Sequence, residues 1–179
     1  MRLARAGGFQ CALVLGGARS GKSDLAEALL QAMAPPRLYI ATAEPRDAEM
    51  AARIARHRAR RGAGWQTVEA PRDIAGALRA ADPARPVLVD CLTLWLSNLM
   101  EAGADPDAGF DELAAVLATR PGPAVLVSNE VGLGLVPETA LGRAFRDAQG
   151  RLNQRAAAHA DLVVFVAAGL PLVLKGRLP

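Results

Sequence analysis

The sequence predicts an α/β fold. It reads as a mostly parallel β-sheet with helices on both faces, a phosphate-binding loop at the carboxyl edge and an antiparallel C-terminal edge strand. Three observations predict it. First, Gly16-Gly17-Ala18-Arg19-Ser20-Gly21-Lys22-Ser23 fits Gly-x-x-x-x-Gly-Lys-Ser. It lies between an apolar run, 11–15, and a helical pattern in which Leu25, Leu29 and Leu30 share a face. Second, short apolar runs alternate with helical stretches along the chain, the order that gives parallel strands covered on both sides. Third, 179 residues with 51% hydrophobic content suit one full-sized core. Residues 1–179 are therefore read as a single nucleotide-binding domain, with 1–9 as a loose lead-in.

In the loop each fixed position has a job. Gly16 and Gly21 permit tight turning and close backbone approach to phosphate. Gly17, Ala18, Arg19 and Ser20 complete an anion nest of N–H groups. Lys22 suits the β- and γ-phosphates, and the Ser23 hydroxyl suits Mg²⁺. The following helix, to about Met33, adds its positive end to the site. Pro35-Pro36 ends that helix, and 37–41 reads as strand two. Its carboxyl end, Ala41, Thr42 and Ala43, is either pocket lining or a plain strand end.

Pro45 is read as opening a second helix to about Arg61, with Met50 and Ile54 in apolar contact and Arg53, His57 and Arg60 on another stripe. Strand three is 65–69. A helix over 71–81 is again read as opened by proline. The run 86–90 is a buried strand ending in Asp90, the pattern of an acid that supports Mg²⁺. Helix 92–100 places Trp95 and Leu99 in the core. Residues 103–109, rich in Gly, Asp and Pro, read as a loop, and 110–119 as a helix. The strand 123–128 runs into Asn129 and Glu130, a polar pair at a strand end, before a glycine-bearing loop. A long helix over 138–160 carries Gly150, which predicts a close packing contact. Arg143, Asp147 and Arg151 are spaced as a solvated charge ladder. Strand 162–166 and a turn then lead to 172–174 as the antiparallel edge.

Composition excludes several classes. No apolar run approaches the roughly 18 residues of a membrane span, and the first ten residues lack a secretory core. The reading is a cytoplasmic protein. Cys11 and Cys91 read as small buried hydrophobes rather than a disulfide. Two histidines and no Cys/His cluster argue against zinc. The net charge is +3 with pI ≈ 9.4, and arginines concentrate between 53 and 61. With 4% aromatic residues, that patch suits a phosphate pocket better than a nucleic-acid surface. On the helix alone, His57 reads either as a solvated surface histidine or as a nucleophile kept neutral by Arg53, Arg56, Arg58, Arg60 and Arg61.

Read whole, the chain resembles the bifunctional adenosylcobinamide kinase/adenosylcobinamide-phosphate guanylyltransferases of cobalamin synthesis. The resemblance rests on an ordered set of blocks: the phosphate loop, Tyr39-Ile40-Ala41-Thr42, and Glu49 to Ile54 with His57. It continues through Trp65 with Thr67 and Glu69, and Asn129-Glu130-Val131-Gly132 with Val136-Pro137-Glu138. Phe145-Arg146-Asp147 with Gly150, Asn153 and Gln154 completes it. The resemblance implies a P-loop, RecA-like fold, a homotrimer, ATP and GTP as substrates with Mg²⁺, and a corrinoid as the second substrate. It implies phosphorylation of a cobinamide hydroxyl, then GMP transfer from GTP through a covalent GMP–histidine, here His57. Members can carry two adjacent histidines at this place, where this chain has Arg56-His57. The resemblance also suggests guanosine contacts from Glu69 and Asp90. Nucleotide contacts are expected from Arg58, Ala59, Arg60 and Arg61, and substrate contacts from Arg53, Asn129 and Glu130. Asp90 and Glu130 both remain open as the group that binds metal or orients the hydroxyl. A monofunctional P-loop kinase and a nucleic-acid-binding RecA-like ATPase are the competing readings.

Overall fold

The computed structural model describes residues 8–179, apart from the side chains of Arg53 and Arg60. The sheet has seven strands in the order β3-β2-β4-β5-β1-β6-β7. In chain order these are β1 (Cys11–Gly16), β2 (Arg37–Ala41), β3 (Trp65–Glu69), β4 (Val87–Asp90), β5 (Ala124–Asn129), β6 (Leu162–Ala167) and β7 (Leu170–Lys175). All pairings are parallel except β6 with β7. The helices are α1 (Lys22–Gln31), α2 (Ala48–Arg60), α3 (Ile74–Ala80), α4 (Leu92–Glu101), α5 (Pro106–Thr119) and α6 (Ala140–His159).

Period-2 alternation divides the strand side chains between two cores. Leu13, Leu38, Ile40, Val87, Val89 and Leu126 face one side, packed with Ile74, Trp95, Leu113 and Leu152 of α3 to α6. Ala12, Val14, Tyr39, Leu88, Val125 and Val164 face the other, packed with Ala26, Leu29 and Leu30 of α1. The central strands are buried on both faces, as parallel strands must be. Register sets the site: Gly16 lies beside Asn129 on β5, and Ala41 beside Asp90 on β4. The strand β5 lies between β1 and β4. The phosphate loop, Asn129 and Asp90 therefore come to one edge of the sheet.

Several expected boundaries move, for reasons of capping. Pro45 does not open α2, and Pro71 does not open α3. Asp47 caps α2 by accepting from the Met50 N–H at 2.7 Å, and Asp73 caps α3 by accepting from the Gly76 N–H at 2.6 Å. Residues 103–109 are not wholly loop, because Asp105 caps α5 and Pro106 takes its first turn. Gly109 is then helical, and a Cβ there would lie 3.1 Å from the Trp95 ring. Gly150 has open space where its Cβ would be, so no close packing contact explains it. Arg143 does not complete a side-chain ladder; its guanidinium donates to the carbonyls of Pro137 and Glu138. The edge strand β7 is longer than expected and begins at Leu170, straight after the Ala168–Gly169 turn.

Both cysteines are free and buried. Burial, with Asp161 nearby, pushes the Cys11 thiol up to about 12. Burial, with Asp90 beside it, pushes Cys91 up to about 11. At neutral pH neither holds appreciable thiolate, the reactive form. We expect iodoacetamide to modify neither cysteine in the native protein and both after denaturation. Mass spectrometry reads the result, and native modification of either would show that its burial is transient.

Candidate active site

The phosphate loop leaves β1 at Gly16, where a Cβ would come within 2.6 Å of the Val166 carbonyl oxygen on β6. Gly21 has φ +94°, a left-handed conformation that favours glycine, and it precedes the first turn of α1. The loop is braced from below by the Gly169 N–H, which donates to the Ser20 carbonyl at 2.9 Å. Lys22 is largely buried and its Nζ donates to the Gly17 carbonyl at 3.0 Å. It thus lies folded over the loop in the position that places an ammonium beside phosphate.

Asp90 ends β4 and Ser23 begins α1, and the two meet: Ser23 Oγ donates to Asp90 Oδ2 at 3.3 Å. The same carboxylate oxygen accepts from the Tyr39 hydroxyl at 2.8 Å. Burial first, then the Asp90 charge, pushes the Tyr39 phenol well above its usual range, so it stays protonated as a donor. A hydroxyl and a carboxylate are hard oxygen donors that suit Mg²⁺, which commonly takes only one or two protein ligands and fills its shell with phosphate and water. Among the described residues no cluster of His, Cys, Asp and Glu forms an all-protein metal site.

The helix α2 stands over this pair. Ala18, Arg19, Ser20, Gly21, Lys22, Ser23 and Asp24 line an open cleft of about 650 Å³, with Glu49, Arg56 and His57 of α2 on its other wall. That volume is in the range of ligand clefts. His57 also lines an inner cavity with Lys22, Ser23, Asp90 and Asn129, closed by Tyr39, Met50, Ile54 and Arg61. His57 is therefore the α2 residue common to both spaces. Arg61 is buried, and its guanidinium lies 3.4 Å from the centroid of the Tyr39 ring.

The expected pocket residues separate. Ala41 and Ala43 line the inner cavity. Thr42 between them faces away and is fully buried. Its hydroxyl donates to the Cys91 carbonyl and accepts from the Cys91 N–H, both at 2.8 Å. It locks the end of β2 to the end of β4 rather than facing a ligand. Asn129 reaches the cavity, whereas Glu130 turns its carboxylate onto the Gly132 N–H at 2.5 Å. Glu69 and Arg58 pair with each other at 2.6 Å on the surface, and neither lines the two spaces. Ala59 is exposed and also lies outside them. The side chains of Arg53 and Arg60 lie outside the described residues. His159 ends α6 just before β6, at the opposite edge of the sheet.

Sequence reasoning missed four groups. Tyr39 lies two residues before Ala41 on the same strand face, so alternation could have found it. Glu49 flanks the cleft and was visible only as a helix charge, beside Arg56, which was expected near His57. Thr93 and Asn153 hold the Asn129 backbone: its N–H donates to Thr93 Oγ1 at 2.8 Å, and Asn153 Nδ2 donates to its carbonyl at 3.1 Å. Gln149, fully buried, donates to Ser128 Oγ and Asn153 Oδ1, each at 2.9 Å, and completes that support. No local motif signals such a network, because its members come from separate elements.

Comparison with known proteins shows the family and the fold. The family described as cobinamide kinase / cobinamide phosphate guanyltransferase (CobU) matches residues 12–174. The bifunctional adenosylcobalamin biosynthesis protein CobP of Pseudomonas aeruginosa is 50% identical over 169 residues, covering 92% of this chain and 97% of the relative. The corresponding CobU of Salmonella typhimurium is 45% identical over 180 residues, covering 91% and 98%. Among solved structures, flagellar accessory protein FlaH of Methanocaldococcus jannaschii superposes with a TM-score of 0.53 at 12% identity, over 94% of this chain and 79% of that one. The ATPase EscN of the enteropathogenic E. coli type III secretion system gives 0.55 at 14% identity, over 96% and 48%. These distant similarities show the fold, which is that of the P-loop, RecA-like ATPases.

Proposed function

This chain belongs to the cobinamide kinase / cobinamide phosphate guanyltransferase family, a bifunctional enzyme family of cobalamin biosynthesis, and from that premise we propose how its residues divide the two reactions. In the kinase reaction a cobinamide hydroxyl attacks the γ-phosphorus of ATP or GTP and releases its proton to solvent, the bond to the β-phosphate oxygen breaks, and the nucleoside diphosphate leaves. The loop N–H groups and Lys22 hold the triphosphate and balance charge on the transferring group. Ser23 and Asp90 hold Mg²⁺, which supplies further neutralisation of phosphate charge when bound. Asn129, fixed at both backbone ends, presents its amide to the reacting hydroxyl.

In the guanylyl transfer a neutral His57 ring nitrogen attacks the α-phosphorus of GTP. The bond to the β-phosphate oxygen breaks and pyrophosphate leaves, giving a GMP–histidine phosphoramidate. A phosphate oxygen of cobinamide phosphate then attacks the same phosphorus, and the histidine departs to give cobinamide-GDP. Arg56 in the cleft and Arg61 in the inner cavity supply positive charge near the leaving group. The observation that carries this reading is that His57 faces both the phosphate-loop cleft and the cavity of Ser23 and Asp90.

A homotrimer acting in the cytoplasm is part of the same proposal. It is supported by exposed apolar side chains at Leu133, Leu135, Val136 and Leu141, and along β7 at Leu170, Leu172 and Leu174. No described helix is long and apolar enough to cross a membrane.

The metal assignment has its own test. Asp90→Asn keeps the size of the side chain and removes its charge. We expect the Mg²⁺ concentration for half-maximal activity to rise about 10-fold or more, with little change in thermal stability. A Mg²⁺ titration that overlays wild type would remove Asp90 from the metal site.

A further inference from the structure

We propose that Tyr39 is a positioning residue with two working faces: its hydroxyl holds the Asp90 carboxylate beside Ser23, and its ring holds Arg61 at the end of α2. The helix bearing His57 is thereby registered on the metal pair through one side chain. The inference deepens the proposed metal site and rests on it.

The ring of Tyr39 is fixed on every side. Its backbone lies in β2, hydrogen-bonded to β3 on one side and β4 on the other. The edge of the ring meets Trp65, with centroids 6.2 Å apart and planes at 84°. The hydroxyl donates to Asp90 Oδ2 at 2.8 Å, the oxygen that Ser23 Oγ also reaches at 3.3 Å. One donor from β2 and one from α1 thus converge on a single carboxylate oxygen, which sets the orientation of the carboxylate. The other Asp90 oxygen is left for the cation and its water. Such outer-shell donors govern metal affinity by orienting the ligand.

The second face concerns Arg61. Its guanidinium is buried, only 6% exposed, and among the described residues no carboxylate forms an ion pair with it. Among those residues its side-chain hydrogen bond, to Thr67 Oγ1, is long at 3.5 Å. A buried cation in that state depends on the aromatic face 3.4 Å away. Arg61 directly follows Arg60, the last residue of α2, so the stack fixes the carboxyl end of the helix one turn beyond His57. The chain of contacts is continuous, from α2 through Arg61 and Tyr39 to Asp90 and Ser23.

The experiment separates the two faces. Tyr39→Phe removes the hydroxyl and keeps the ring, and Arg61→Met removes the cation and keeps the stem. Mn²⁺ affinity of the protein–GDP complex is read by electron paramagnetic resonance. Amide hydrogen exchange over 48–60 is read by mass spectrometry. We expect Tyr39→Phe to weaken Mn²⁺ binding about 10-fold or more, with GDP affinity in EDTA and α2 exchange held at wild-type values. We expect Arg61→Met to speed α2 exchange about 10-fold while Mn²⁺ affinity stays within about twofold, because the Tyr39 hydroxyl, Ser23 and Asp90 that orient and hold the cation are all kept. Wild-type Mn²⁺ affinity in Tyr39→Phe, or wild-type α2 exchange in Arg61→Met, overturns the proposal. Asp90→Asn is the reference. If it weakens Mn²⁺ binding and Tyr39→Phe does not, the Tyr39 role alone fails. If Asp90→Asn also binds Mn²⁺ normally, the metal pair is wrong, and the Tyr39 role falls with it.

Discussion

Lys22→Ala is expected to abolish both phosphorylation and guanylyl transfer. Both reactions begin from a triphosphate held in the same loop, and Lys22 is the lysine that faces it. Its ammonium is already drawn inward, donating to Gly17 across the loop. A largely buried cation that makes a charge-assisted bond to phosphate is worth far more than a solvated one. Loss of one such pre-placed charge in a reacting site lowers turnover by about 10²–10³-fold. Nucleotide affinity should fall as well, because the contact exists before the transition state. The fold should survive, since Gly169 and the sheet brace the loop independently of the Lys22 bond to Gly17. Normal nucleotide affinity and turnover in the folded variant would remove the phosphate-loop assignment.

His57→Ala should have an effect as large, but on one reaction only. Guanylyl transfer requires a nucleophile, and alanine supplies none. Phosphorylation of cobinamide requires the loop, a metal and a positioned hydroxyl, none of which the substitution removes. His57 lies on α2, across the cleft from the loop, so the substitution enlarges the cleft and removes no group of β1 or α1. We expect guanylyl transfer to fall below detection and the kinase reaction to persist. Equal loss of both would mean that α2 as a whole had been displaced and that His57 has no separate role.

The legibility of this chain varied with the range of the interaction. The phosphate loop was plain because its chemistry is local: each glycine, the lysine and the serine act within one turn. The strands were plain because parallel strands buried on both faces are continuous apolar runs, as 87–89 and 124–127 are. Helix starts were harder. Pro45 and Pro71 looked like openings, yet the carboxylates of Asp47 and Asp73 decided where α2 and α3 began. Residues 106–109 looked like a loop because the glycine that fits against Trp95 gives no sign of that contact in sequence. The site divided in the same way. Lys22, Ser23, Asp90 and Asn129 stood at strand or helix ends where the fold class puts chemistry, and the structure brings them to one cavity. Glu69 and Arg58 were both expected at the nucleotide, and are found paired with each other. Tyr39, Thr93 and Asn153 act through other residues, and such roles depend on three-dimensional neighbours.

The central claim is that His57 becomes covalently guanylylated. The most direct measurement is incubation of wild type, His57→Ala and His159→Ala with α-labelled GTP and Mg²⁺, followed by denaturation and counting of protein-bound label. A GMP–histidine bond is a phosphoramidate, so the label should be lost in acid and kept in alkali. Wild type and His159→Ala should label alike, since His159 lies at the far edge of the sheet. His57→Ala should take up none. Label on His57→Ala at the wild-type rate would place the covalent site elsewhere. A wild-type protein that phosphorylates cobinamide and never labels would contradict the covalent mechanism altogether.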